Sequence, residues 1–167
     1  MSYLFRGVNE ELYNLLNGKI QPKLEKSGLE FPSYVCAGDP HAVCGSGVVA
    51  GKSINNTVIL HQWNQKGYPT SGVSTSPIKE RARFYALEGG KHSKGYIYTL
   101  SIDLLKKCNV AIYRVKDFAT YPAVPEDDEH ILVANNFQEI PSAAIVTIEF
   151  IENDILSCSH FPSGNAD

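Results

Sequence analysis

A chain of 167 residues is long enough for one domain with a sizeable core, and 43% hydrophobic against 20% charged residues is the balance of an ordinary globular protein. A formal charge of −3 supplies no global basic field for gripping nucleic acid, and no apolar run approaches the ~18 residues of a membrane-spanning helix. Met1-Ser2-Tyr3-Leu4-Phe5-Arg6 lacks the basic-then-apolar pattern of a secretory leader, so Cys36, Cys44, Cys108 and Cys158 are expected to be reduced thiols of a soluble protein.

Tyr3 to Gly7 reads as a short strand ending in a glycine turn. Asn9 then caps a helix with Leu12, Leu15 and Leu16 on one face, and Gly18 stops it. From Ile20 to about Gly51, Pro22, Pro32, Pro40 and many glycines and serines predict irregular loop with room for one short element. So long a loop in a compact domain is more often functional than idle. Within it Cys36, His41 and Cys44 could ligate a metal, but their spacing matches no common zinc pattern and no metal is expected. Thr57 to Trp63 is apolar and β-branched, and too short for periodicity to separate strand from helix.

Gly72-Val73-Ser74-Thr75-Ser76-Pro77 is the stretch on which the chain turns. Ser76 is a natural N-cap and Pro77 a natural first helical residue, for a helix from Ile78 to Leu87 that ends at Gly89-Gly90. Ser74 and Thr75 therefore lie where an extended segment meets a helix. That is either an ordinary strand-to-helix junction or a place where hydroxyls and free backbone N–H groups converge on a ligand. Gly95 to Ile102 is a strand with Tyr96, Tyr98, Leu100 and Ile102 on one face, expected deep in its sheet.

Asp103 to Cys108 reads as a short helical turn, Val110 to Val115 as a strand, and Tyr121 to Asp128 as a loop. Ile131 to Ala134 and Ala144 to Ile151 are the last strands, and Asn153 to Asp167 is expected to be a loosely held tail. Mixed strands with few helices predict an α+β architecture rather than alternating βαβ units.

Three features carry candidate chemistry: Arg6 at the end of the first strand, Ser74 in the hydroxyl junction, and Glu129 after Glu126-Asp127-Asp128. A guanidinium in a cleft suits a phosphate, because its planar fork makes bidentate charge-assisted bonds; on a surface it is an ordinary ion-pair partner. A carboxylate suits the positive charge that develops on a sugar as its C1 bond breaks, whereas acidic loops are otherwise solvated turns. The serine would hold that carboxylate in place. His61 taken alone reads as a partly buried structural histidine.

In their order along the chain these stretches resemble the cholera-toxin-like, Arg-Ser-Glu class of mono-ADP-ribosyltransferases, including the small bacterial enzymes related to the neisserial one. The resemblance is carried by Leu4-Phe5-Arg6-Gly7, Gly18-Lys19-Ile20-Gln21-Pro22-Lys23, His61-Gln62, Gly72-Val73-Ser74-Thr75-Ser76 and Lys79-Glu80-Arg81-Ala82. It continues through Gly95-Tyr96-Ile97-Tyr98 and Pro125-Glu126-Asp127-Asp128-Glu129 to Ile140-Pro141, and spans roughly Tyr3 to Ile151.

The resemblance implies a single catalytic domain over residues 1–167, folded as a split β-sandwich of two roughly perpendicular antiparallel sheets with flanking helices. It implies NAD as co-substrate and a macromolecular acceptor, with an inhibitor or immunity protein as a further partner. The cell biology it implies is that of a toxin, effector or defence factor, cytoplasmic or delivered into a target cell by a dedicated secretion system.

Within that frame Arg6 would contact the NAD phosphate or ribose, the Gly7 backbone would hold the nicotinamide amide, and His61, Ser74 and Thr75 would line the NAD site. Ser74 would also position Glu129, the catalytic carboxylate that bonds the ribose 2′-OH and stabilises the sugar cation. The acceptor-reading position, two residues before that glutamate, is usually Glu or Gln in the family. Here it is Asp127, one methylene shorter, and Glu126 is the alternative helper. A protein side chain is the expected acceptor, with RNA or DNA, water, or a catalytically silent NAD-binding module as alternatives.

Overall fold

The computed structural model describes residues 2–22, 33–34, 49–50, 72–118, 122–135 and 138–153. The first half of the chain holds β1 (Tyr3–Asn9), α1 (Glu10–Leu15), the short strands β2 (Ser33–Tyr34) and β3 (Val49–Ala50), β4 (Val73–Thr75) and α2 (Lys79–Ala86). The second half holds β5 (Lys94–Ser101), α3 (Ile102–Lys107), β6 (Ala111–Arg114), β7 (His130–Val133) and β8 (Ile145–Glu152). Two three-stranded antiparallel sheets, ordered β1-β5-β8 and β4-β7-β6, make this an α+β fold, with β2-β3 a separate antiparallel ribbon.

The Tyr-rich segment read as a deep strand is β5, the middle strand of its sheet, and the alternation of its side chains serves two faces. Leu4, Val8, Tyr98 and Leu100 join the main core with Ile20, Val73, Leu105 and Leu132. The opposite face presents Phe5, Ile97 and Ile151 to Ala82 and Ala86 of α2. That contact is close because small residues meet: a Cβ on Gly7 would lie 1.7 Å from the Ala82 carbonyl oxygen, and one on Gly95 would lie 2.6 Å from that of Ala86. Gly7 is therefore an interior strand residue under a helix. It does not end the strand in a turn, as the sequence suggested; β1 runs on to Asn9.

Asn9 caps α1 as expected, its Oδ1 accepting from the Leu12 N–H at 2.8 Å, and Gly18 follows the helix with φ 71°. Leu15 does not join Leu12 on a buried face; it is 76% exposed, since α1 is too short to bring a second turn onto the sheet. α2 starts later than the sequence predicts. Its N-cap is Ile78 and lacks a side-chain cap bond; Ser76 Oγ does accept from the Ile78 N–H at 3.0 Å, but before the helix proper. Ile102 opens α3 rather than closing β5, because Ser101 caps that helix through the Leu104 N–H.

In the long segment from Ile20 to Gly51 the described residues include two short strands, not one element. Thr57 to Trp63, the Cys36-His41-Cys44 group and the tail from residue 154 lie outside the described residues. Among the described residues no helix is long and apolar enough to cross a membrane.

In the second sheet Leu132 pairs with Val73 and Ile112 and faces the main core. Ile131 and Val133 point the other way and pack with Val115. Among the described residues the two sheets are joined edge to edge at one place. Phe5 of β1 and Ser76, the residue after β4, exchange both backbone hydrogen bonds, N–H to O at 2.7 and 2.9 Å.

Candidate active site

That bridge determines what collects beside it. Arg6 follows Phe5, and its guanidinium Nη1 donates to the Ser74 carbonyl oxygen at 2.9 Å. Arg6 is half-buried, and burial pulls its pKa below the ordinary value; the neighbouring Tyr98 and Glu129 act in the opposite sense by favouring the charged form. Arginine starts so high that the guanidinium stays cationic. Glu129, the residue just before β7, thus lies within electrostatic reach of Arg6 although 123 positions along the chain (129 − 6) separate them.

Glu129 is placed by the ladder of the second sheet. Its carbonyl accepts from the Val115 N–H at 2.9 Å, carrying the β6–β7 pairing one residue past His130. Ser74 pairs with Ile131, two residues beyond Glu129, so strand alternation brings Ser74 and Glu129 to neighbouring positions on one face. Arg6, Ser74 and Glu129, predicted together from three distant stretches, are brought together.

Thr75 is also present, but its Oγ1 donates to the His130 carbonyl at 2.7 Å and braces β4 against β7. Gly7 adds its backbone. Because the N–H and C=O of Phe5 point to Ser76, the alternation of a strand aims those of Gly7 to the same side, away from β5 and along the edge that faces the second sheet. His61 lies outside the described residues.

The acidic loop splits three ways. Pro125–Asp127 forms a single 3-10 turn, and Asp128 follows in the left-handed region with φ 42°. Asp128 is gripped by Arg114 of β6, whose Nε and Nη2 donate to its two carboxylate oxygens at 2.9 and 2.7 Å; that fork holds the carboxyl below the ordinary Asp range. Asp127 is buried, at 7% exposure, and points to α2. Arg81 Nε donates to its Oδ1 at 2.5 Å, the Tyr85 hydroxyl donates to its Oδ2, and Ser76 Oγ donates to its backbone carbonyl at 2.6 Å. Glu126 is exposed.

Sequence reasoning did not single out Arg81, Tyr85 and Arg114 individually. The available signal was the i, i+4 spacing of Arg81 and Tyr85, which puts both on one face of the helix that follows the hydroxyl junction. Tyr98 was read only as a core residue. It is 1% exposed, its hydroxyl has no hydrogen-bond partner among the described residues, and burial together with nearby Tyr13 pushes its pKa up to about 12 although Arg6 acts to lower it.

Two antiparallel sheets bridged at one edge, with an arginine, a serine strand and a glutamate gathered at the bridge, agree with an ADP-ribosyltransferase-like protein, and comparison with protein families supports that class. The model of the NarE family, a neisserial ADP-ribosyltransferase-like family, matches residues 3–132, and the chain belongs to that family. A search of curated proteins returns no match.

Proposed function

We propose that this protein is a mono-ADP-ribosyltransferase whose single catalytic domain, residues 1–167, cleaves NAD at the nicotinamide–ribose bond and passes ADP-ribose to a macromolecule, first among them a protein side chain. The observation that carries the reading is the meeting of Arg6, Ser74 and Glu129 at the only described bridge between the sheets. The residues fit the dinucleotide chemically. A half-buried cation can meet phosphate, and the edge-facing Gly7 N–H and C=O match the acceptor and donor of a carboxamide.

Arg6 binds phosphate or ribose and Gly7 orients the nicotinamide amide. Glu129 accepts a hydrogen bond from the ribose 2′-OH and stabilises the positive charge developing at C1 as the bonding pair leaves with nicotinamide. Ser74, a neighbour of Glu129 on one sheet face, holds that carboxylate in its working orientation. The acceptor nucleophile then bonds C1 and gives up its proton to the surrounding water. Thr75, bonded to the His130 carbonyl, supports the NAD site by fixing β4. In a cell such an activity is that of a toxin, effector or defence factor.

The test is incubation with labelled NAD and a cell lysate, followed by parallel protease and nuclease treatment. Label that resists nuclease and is lost to protease is the expected result. Label lost to nuclease assigns the acceptor to RNA or DNA, nicotinamide release without label assigns a glycohydrolase, and NAD binding without release defeats the enzymatic reading.

A further inference from the structure

Asp127 stands where the family resemblance puts the acceptor-reading residue, yet both of its carboxylate oxygens are taken by α2. Arg81 and Tyr85 lie one helical turn apart and close on it from one face, and the Arg81 guanidinium is itself braced over the Phe84 ring at 4.9 Å. The backbone of Asp127 is fastened as well. Its carbonyl accepts from Ser76 Oγ, and Ser76 is the residue that bridges to Phe5. The same helix rests on β1 through Ala82, Ala86 and Gly7.

A continuous path of packed and hydrogen-bonded groups thus runs from Arg6-Gly7 through α2 to Asp127, two residues from Glu129. We infer that Asp127 is a positioning residue: clamped by Arg81, Tyr85 and Ser76, it sets the place of Glu129 opposite Arg6 and Ser74 instead of meeting the acceptor. A buried carboxylate with both oxygens engaged has no reason to leave for an incoming nucleophile, since vacating the site would leave Arg81, its side chain only 24% exposed, without its carboxylate partner.

The inference rests on the proposed NAD-cleaving reading, and two measurements keep the failures apart. Asp127→Asn removes the charge at constant size, and Tyr85→Phe removes one clamp bond more gently should the first variant fold poorly. In each, nicotinamide release and label transfer are followed with kcat and KM for NAD, and hydrogen exchange is measured over residues 124–130. The expected result is a kcat between about tenfold and 10²-fold lower for both steps by a common factor, with KM within about twofold and faster exchange across the loop.

Loss of transfer alone would return Asp127 to the acceptor and overturn the inference. So would a lowered Tm with unchanged kcat per folded molecule. If the wild type releases no nicotinamide the functional reading falls instead, and exchange still decides the clamp: a loop no looser in either variant removes it.

Discussion

Arg6 Nη1 and the Ser74 carbonyl oxygen, 2.9 Å apart, tie the edge of one sheet to the first strand of the other at the point where Glu129 also arrives. The bond uses one arm of the guanidinium in holding the sheets together. In Arg6→Lys the charge remains and the planar fork is lost. NAD affinity is expected to fall by about tenfold, while loss of one hydrogen bond costs only about 1 kcal/mol of stability. A large fall in melting temperature with unchanged affinity per folded molecule would make Arg6 a brace and nothing more.

Glu129→Gln keeps the shape at the end of the β6–β7 ladder and deletes the charge. Nicotinamide release is expected to drop on the order of 10²-fold or more with the fold intact, measured by single-turnover kinetics beside circular dichroism. Activity within a few-fold of wild type assigns the catalytic carboxylate elsewhere.

Gly7→Ala tests the contact of β1 with α2. A Cβ 1.7 Å from the Ala82 carbonyl oxygen forces helix and strand apart, because neither backbone can rotate away as a side chain could. The expected cost is at least ~3 kcal/mol, a fall in Tm of roughly 6–12 °C for a domain of this size. A thermal melt unchanged within ~1 °C contradicts the contact.

Asp128 ties pH to stability. Its folded pKa lies below its unfolded value, chiefly through the Arg114 fork, so the stabilisation is full above the ordinary carboxylate range and is lost as pH falls through the depressed value. Asp128→Asn should therefore lower Tm near neutral pH and converge with wild type once pH has fallen through the depressed Asp128 value. Arg114 is 38% exposed, so the difference should be modest and shrink further in salt. Melts that separate more widely in acid would reverse the sign and refute the assignment.

Local rules made much of this protein legible from its sequence. The alternation of Tyr96, Tyr98 and Leu100 marked the central strand and Asn9 marked a helix start through its cap, while the family resemblance named Arg6, Ser74 and Glu129, three distant residues that the fold brings near one another. These signals work because strand period and capping are settled by a few neighbouring residues. Other features were decided only by the tertiary structure. Gly7 looked like a turn until α2 was laid across it, and Ser76 looked like a helix cap until its hydroxyl was seen to donate to Asp127. In the run Glu126 to Glu129, neighbouring carboxylates of similar chemistry receive different partners. Arg81 is 46 positions from Asp127 and Arg114 is 14 from Asp128, and which arginine meets which carboxylate depends on how helix and sheet pack, a choice that local periodicity does not encode.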